Sequence, residues 1–256
     1  MQIPASFMTA ASFLAVVLAV GAVAALLHHV LLLPRLRESS SSTSELGQSV
    51  MGIVGGMFAF SVTFLVSTTW ATDDRAREAV DSEARSIRIM ETYAAPLPPE
   101  ARQKLDVLIE DYVGAVLHEW NDMAARRLSE EAETELQHLY EGVLDGLGVS
   151  GLDPLLRQRL LVALDDLSHA RQLRLSIAQE AVDMGQWFLV VGLGLLLLII
   201  VAAVHRSSPQ IRAKALVVTT AAVSIMLFVV VTYHRPFAGA IHVGPQPIQE
   251  ASEAFP

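Results

Sequence analysis

Two pairs of an acidic residue and a histidine have the spacing of metal ligands. Glu135 and Asp166 each precede a histidine by three positions, His138 and His169. Carboxylate and histidine at that interval are typical of di-iron sites in helical bundles. At about 100° per residue, however, both histidines lie opposite the apolar stripes of their helices, so we expect them to face water. We therefore predict no metal site and no cofactor.

The sequence contains none of the common catalytic signatures. It has no Gly-rich phosphate loop, no GxSxG and no HExxH, and the absence of cysteine excludes thiol catalysis and Cys-ligated zinc. A net charge of −9 also argues against binding to nucleic acid. We expect a protein that is not an enzyme and has no nucleic-acid partner.

Small residues recur at intervals of three or four along the segment 47–70, which places them on one face of a helix. One interpretation is close helix–helix packing of the GxxxG type, here in the stretch GIVGG. The other is that the face lines a water-filled pore, in which two phenylalanines beside it would form an apolar constriction. The candidate pore-lining residues are Gly52, Gly56, Phe60, Thr63, Phe64 and Ser67.

The uneven distribution of charge indicates which elements position these residues. Hydrophobic residues make up 52% of the 256 residues and charged residues 18%, against about 25% charged in a typical soluble domain. Residues 71–185 hold 12 Lys/Arg and 23 Asp/Glu, whereas the other 141 residues hold only 6 and 4. An acidic insert between two apolar arms predicts an integral membrane protein in contact with the lipid bilayer.

Four apolar segments are long enough to span that bilayer: residues 7–33, 47–70, 186–204 and 215–233. Each has at least 19 residues, enough for a hydrocarbon core of about 30 Å at about 1.5 Å per residue. A cleaved signal peptide is the alternative for the first segment. We prefer a retained span, because no Lys or Arg precedes it and its apolar run is too long.

The acidic insert has the pattern of helices joined by short turns. The second span continues without Pro or Gly until Pro96, and a second insert helix then runs to about Ala125. Ser129 is the predicted cap of a third helix, which Gly146 and Gly148 end. The fourth begins at Pro154 and meets no breaker before the third span.

We therefore predict an all-α fold: four transmembrane helices with an antiparallel helical bundle inserted between spans two and three. The predicted domains are spans one and two, the acidic bundle, spans three and four, and a tail, at residues 1–70, 71–185, 186–235 and 236–256. In the tail, Pro245 and Pro247 are expected to prevent a new helix. Its apolar residues are expected to dock on the membrane or the bundle: Phe237, Ile241, Val243 and Ile248.

Four motifs follow one another along the chain: Trp70 before a charged, Ala-rich helix with VDSEA, then YVGAVLHEW, then HARQLRL, and finally HRPFAGAIHVGPQPI. Together they resemble the bestrophin-like family of bacterial membrane proteins. The order matches over nearly the whole chain. The resemblance implies a four-span membrane protein with a helical insert. The residues that carry it are Trp70, Glu119, Trp120, Arg171, Arg174, Arg235, Pro236, Phe237 and Gly239. We expect Glu119 and Trp120, together with the Arg171 and Arg174 pair, to hold the insert together by ion pairs and Trp packing rather than to contact a ligand.

The order of two spans, insert and two spans is also similar to that of the bestrophins, pentameric ion channels whose second span lines an aromatic-rich neck. FSVTFLVSTTW is similar to that span and places Phe60 at one neck position. Gly52 and Gly56 stand where the family pattern has bulky residues, which implies a wider or differently gated pore. No acidic cluster resembles the calcium clasp, so calcium activation is not carried over. Chloride selectivity is not carried over either, because an insert with 12 Lys/Arg and 23 Asp/Glu would attract cations if it formed a vestibule.

The side of the membrane on which the insert lies is not decided by charge. Five basic residues in the short loops favour an external insert by the positive-inside rule, but six arginines flank the insert itself, and Arg235 lies on the same side. The resemblance favours a cytoplasmic insert in a bacterial inner (plasma) membrane.

Two functions follow from these features. The first is a homo-oligomeric ion channel with span two lining the pore and inorganic ions as its permeants. The second is a membrane-anchored sensor or scaffold whose helical bundle binds a protein partner.

Overall fold

The computed structural model describes residues 5–30, 43–124, 129–149, 152–179, 184–233, 236–238 and 242–253. Within these ranges the chain forms helices and no strand, so the predicted all-α class is confirmed. The helices are α1 (Ala5–Val30), α2 (Thr43–Ala94), α3 (Pro99–Ala124), α4 (Glu131–Leu144), α5 (Pro154–Gln179), α6 (Met184–Val204), α7 (Pro209–Tyr233) and α8 (Gln246–Ser252), with a 3-10 turn at Gly146–Gly148.

Four of these helices are long and apolar enough to cross a membrane, as predicted. The candidate spans are Ala11–Val30, Gly47–Ala94, Gly185–Val204 and Pro209–Tyr233. The second includes both the apolar and the charged part of α2, because no Pro or Gly interrupts that helix between Met57 and Ala94. The predicted continuation of span two into the insert is thereby confirmed.

The chain divides into two compact units. The apolar unit comprises Met1–Ala71, Ala181–His234 and Gly239–Ile241, and the charged unit comprises Thr72–Glu180, Arg235–Ala238 and His242–Pro256. Each unit has its own hydrophobic core.

The core of the apolar unit includes one face of α2. Phe58, Val62 and Leu65 are buried there with Val190 of α6 and Val223 of α7. A methyl group added to Gly194 would lie 3.2 Å from the Phe58 ring, so a residue without a side chain is what lets this ring approach α6 closely.

The core of the charged unit is built from α3, α4, α5, α8 and the part of α2 that follows Ala71. Its buried residues recur at alternating intervals of three and four, the spacing of one helix face. In α3, for example, the series includes Leu105, Ile109 and Val116, all fully buried.

Most helix boundaries agree with the sequence patterns. The helix α2 ends at Ala94 before the prolines, and α3 begins at Pro99. One prediction about the helix ends is wrong, and another concerns residues that the structure does not describe. Ser129 does not cap α4, because the first helical hydrogen bond runs from Thr134 N–H to the carbonyl of Glu130. The predicted continuity of the fourth insert helix into span three falls on residues 180–183, outside the described residues.

The C-terminal tail docks and also forms a helix. Phe237, Val243 and Ile248 are buried in the core of the charged unit, which confirms the predicted docking, while Ile241 lies outside the described residues. The prediction that prolines prevent a helix is wrong. Pro245 immediately precedes α8 and Pro247 occupies its first turn, where backbone N–H groups have no partner to lose.

Candidate functional site

One face of α2 in the apolar unit lies outside the hydrophobic core that the described residues form. The six candidate pore-lining residues all lie on the exposed side of the helix. At about 100° per residue they are roughly opposite the core residues Phe58, Val62 and Leu65. This segment of α2 therefore has two distinct faces, and the core of the described residues covers only one of them.

The glycines of this face are not packing positions within the chain. A side-chain carbon built on Gly52 or Gly56 would meet no atom within 4 Å. By contrast, one built on Gly47 would lie 2.8 Å from Val204. Among the described residues, none packs closely against Gly52 or Gly56, and we infer that another copy of the chain, lipid or water is their neighbour.

The aromatic residues of the exposed face are large and uncovered. Phe60 is 76% exposed and Phe64 is 54% exposed. Trp70, also 54% exposed, follows Gly52 by eighteen residues, five full turns, and so lies on the same face. Thr63 forms its hydrogen bond within α2: its Oγ1 donates to the carbonyl of Ala59 at 2.8 Å.

A buried charge network occupies the charged unit. Arg174, which is fully buried, donates from Nε to Glu83 Oε2 at 2.7 Å and from Nη2 to Glu119 Oε2 at 3.1 Å. Arg171 donates from Nη2 to Glu119 Oε1 at 2.7 Å and also contacts the half-exposed Glu133. Two arginines and two glutamates thus neutralise each other within the core.

Neutral groups complete this network. The hydroxyl of Tyr112 donates to Glu83 Oε1 at 2.6 Å, and Arg174 Nη1 lies 3.3 Å from the sulfur of Met123. The guanidinium carbon of Arg174 lies 4.9 Å from the centre of the Trp120 ring, a cation–π distance. Trp120 in turn meets Phe237 edge to face at 5.8 Å. The network therefore connects four helices, α2, α3, α4 and α5, and the docked tail.

The electrostatics of the network favour the charged arginines and the neutral tyrosine. Burial alone would lower the pKa of Arg174, but the adjacent Glu83 carboxylate raises it overall. The pKa of Arg171 is raised in the same way by Glu119 against the effect of burial. Burial raises the pKa of Tyr112 well above its ordinary value, and the negative charge of Glu83 raises it further.

The structure brings together four of the family-motif residues named from the sequence: Glu119, Trp120, Arg171 and Arg174, with Phe237 against Trp120. Pro236 is buried, and its carbonyl accepts a hydrogen bond from Val243 N–H at 2.7 Å. Arg235 and Gly239 lie outside the described residues.

Sequence reasoning missed Glu83, Tyr112 and Glu133 as members of the network. For Glu83 the sequence did contain a signal. Glu83 continues the buried series Ala76–Val80 at an interval of three, and Glu119, Arg171 and Arg174 occupy equivalent places in α3 and α5. A charge at a position where the helical period requires an apolar residue indicates a buried partner.

The histidine pairs lie on the surface, as expected from their helix positions. His138 Nδ1 lies 3.1 Å from Glu135 Oε2 with both side chains accessible, and His169 is exposed. Among the described residues, no three histidine or acidic side chains converge as metal ligands.

Four apolar helices and a separate charged unit define a multi-pass, all-helical membrane protein. The Bestrophin-like domain matches residues 14–248, and the chain belongs to the bestrophin-like family. The resemblance seen in the motifs is thereby confirmed, and the protein is related to the bestrophin channels. Comparisons with curated proteins and with solved structures gave no match.

Proposed function

We propose that this protein is the subunit of a homo-oligomeric ion channel in which the exposed face of α2 lines the pore. The observation that carries the proposal is the second, uncovered face of α2. Glycine and hydroxyl residues on it leave space and weak polarity along an axis. Phe60 and Phe64 would supply the apolar constriction, which gates by excluding water.

Family membership supports this assignment of α2. The related bestrophins are oligomeric channels, and a single copy of α2 cannot enclose a conduit. Several copies arranged with Gly52 and Gly56 toward a common axis would place inorganic ions among small residues. The departure at these glycines from the bulky family pattern predicts a wider or differently gated pore than that of the bestrophins.

The proposal includes a location and an orientation. We place the protein in a bacterial inner membrane with the charged unit in the cytoplasm and with the domain division 1–70, 71–185, 186–235 and 236–256. A reporter enzyme fused at Ser150 tests the orientation. Activity of a cytoplasmic reporter supports it, and activity of a periplasmic reporter contradicts it.

Ion flux through liposomes that contain the purified protein tests the channel. The substitution G56L should block flux, because an apolar side chain would fill a narrow axis and favour dewetting. Since Gly56 has open space in its own chain, the subunit should fold normally. A matched control is G192L, another exposed glycine with open space, on α6.

The sensor or scaffold remains the second candidate, and one observation favours it. α2 is a single helix of 52 residues, from the apolar segment into the charged one, so a shift at one end could pass to the other. This alternative predicts a stable protein partner for the charged unit and no conductance. An oligomer on a sizing column without flux would favour it over the channel.

A further inference from the structure

A groove of about 430 Å³ lies between α1 and α7, within the apolar unit. Small residues form much of its walls: Gly21 and Ala25 of α1, and Ala213 and Ala221 of α7. Because these side chains end at or before Cβ, the two helices leave space between them where larger residues would meet. We call this space the α1–α7 groove.

The groove has the length of one leaflet. Its lining on α7 extends from Ala213 to Ser224, which corresponds to about 16 Å along the helix axis. That is roughly half of a hydrocarbon core of about 30 Å. His28 and His29 line the end near the C-terminus of α1, where α7 begins. The groove therefore runs from one membrane surface toward the middle of the bilayer.

A buried arginine lies next to the outer end of the groove, and its described partners include no carboxylate. Arg212 is 1% exposed, and its described partners are His28 Nδ1 at 3.4 Å, the His28 carbonyl at 3.4 Å and the Arg206 carbonyl at 3.3 Å. The described parts of α1, α6 and α7 contain no Asp or Glu, and the one acidic residue in the described part of this unit is Glu45 of α2. A buried arginine without a carboxylate is costly, and an anion from outside the chain would lower that cost.

The contact with Arg212 also determines which nitrogen of the His28 imidazole carries the proton. Because Arg212 Nε–H donates to Nδ1, the imidazole accepts there, and its proton is on Nε2. His28 therefore presents a hydrogen-bond donor at the end of the groove, beside His29. Donors together with a positive charge at a membrane surface match a phosphate group.

We propose that the α1–α7 groove binds an anionic phospholipid. One acyl chain lies along the small residues, and the phosphate lies at His28 and His29, where it compensates the charge of Arg212. This site is separate from the exposed face of α2, and it does not depend on ion conduction.

Two hydroxyls lie deeper in the groove than this phosphate position. Thr220 Oγ1 and Ser224 Oγ are buried and have no hydrogen-bond partner in the described part of the chain. Thr63, Thr69 and Thr232 instead donate to the carbonyl four residues earlier. The hydroxyls of Thr220 and Ser224 would form hydrogen bonds with a lipid whose polar group lies inside the groove. An anionic lipid whose phosphate lies at His28 and His29 would not need them.

Lipid titration of the purified full chain in detergent, read by native mass spectrometry, tests the site. Phosphatidylglycerol should bind at least about fivefold more tightly than phosphatidylcholine with the same acyl chains, from the attraction of a single basic residue. The variant G21L should weaken phosphatidylglycerol binding about tenfold, because the leucine fills the groove. Since Gly21 has open space, this variant should fold, and G192L, which lies outside the groove, should bind as the wild type does.

Other outcomes would overturn the proposal. Equal binding of the two lipids would remove the headgroup site, and equal binding by G21L and G192L would remove the groove. The variant S224A should leave phosphatidylglycerol binding unchanged. Loss of phosphatidylglycerol binding in S224A would place the polar group of the lipid beside the buried hydroxyls and overturn the phosphate position at His28 and His29. Because the readout is binding, failure of ion flux would leave this inference unaffected.

Discussion

Glu83 and Glu119 are fully buried although they are charged, whereas Phe60 and Phe64 are exposed although they are apolar. The glutamates are explained inside the chain, because two arginines and a tyrosine satisfy them. The phenylalanines have no such explanation within it. The difference separates a region that stabilises the protein from a face whose partner is lipid, another copy or a permeant.

The largest effect on stability is expected when the buried network loses one charge. The substitution E83Q leaves Arg174 buried with a single carboxylate partner, and breaking a buried pair costs about 3–5 kcal/mol. Thermal unfolding followed by circular dichroism in detergent measures it. The control is E133Q, at a half-exposed partner of Arg171, which should cost no more than about 1 kcal/mol. Equal losses in the two variants would contradict the difference between buried and exposed members.

A double-mutant cycle tests whether Glu119 and Arg171 stabilise each other. We expect E119Q and R171Q each to destabilise the charged unit, and the double variant to lose less than the sum by about 1–3 kcal/mol. The reason is that each single variant leaves its partner's charge buried. Additive losses in the same unfolding measurement would show independent charges.

Alkaline pH should destabilise the charged unit through Tyr112. In the unfolded chain this phenol ionises near pH 10, but the folded state keeps it protonated because its pKa is raised by burial and by Glu83. Its contribution is therefore complete below about pH 10 and falls by about 1.4 kcal/mol per pH unit above it. The free energy of unfolding, measured from pH 9 to 11, should fall with that slope. In Y112F the slope should be smaller by about 1.4 kcal/mol per pH unit, the contribution of one proton. An unchanged slope in Y112F would place the titration elsewhere.

The smallest effect on stability is expected on the exposed face of α2. The substitutions F60A and F64A remove side chains that the chain does not cover, so unfolding should change by less than about 0.5 kcal/mol. A matched comparison is F58A, which empties a buried position of the same helix and should cost about 3–5 kcal/mol. Similar losses at Phe58 and Phe60 would indicate that the exposed face is packed within the subunit.

The fold could be predicted largely from the sequence, because it depends on local patterns. Apolar segments of sufficient length, prolines before α3 and α5, and two glycines after α4 set most boundaries. The helix α8 is not evident from the sequence, because Pro245 and Pro247 are typical helix breakers. In the structure both prolines lie at the start of the helix, where proline is tolerated. Glu83 was missed for another reason: its bond to Arg174 joins residues 91 positions apart, and only the tertiary packing brings them together.

The exposed face of α2 was predicted at the level of residues, but its role depends on neighbours that one chain does not contain. Periodicity placed Gly52, Gly56 and Thr63 on one face, and the described part of the chain shows no close packing against its two glycines. The evidence is the open space beside Gly52 and Gly56, where an added side-chain carbon would meet no atom within 4 Å. Oligomer contacts are set by surfaces of several copies, which no pattern within one chain specifies.

The most direct measurement is ion flux through liposomes with wild-type protein, G56L, G192L and the double variant F60A/F64A, each first shown to have the same oligomeric size. If α2 lines the pore, wild type and G192L conduct, G56L is blocked, and F60A/F64A conducts more because the constriction is wider. Intact oligomers whose flux is the same in all four proteins would remove α2 from the pore and contradict the proposed channel.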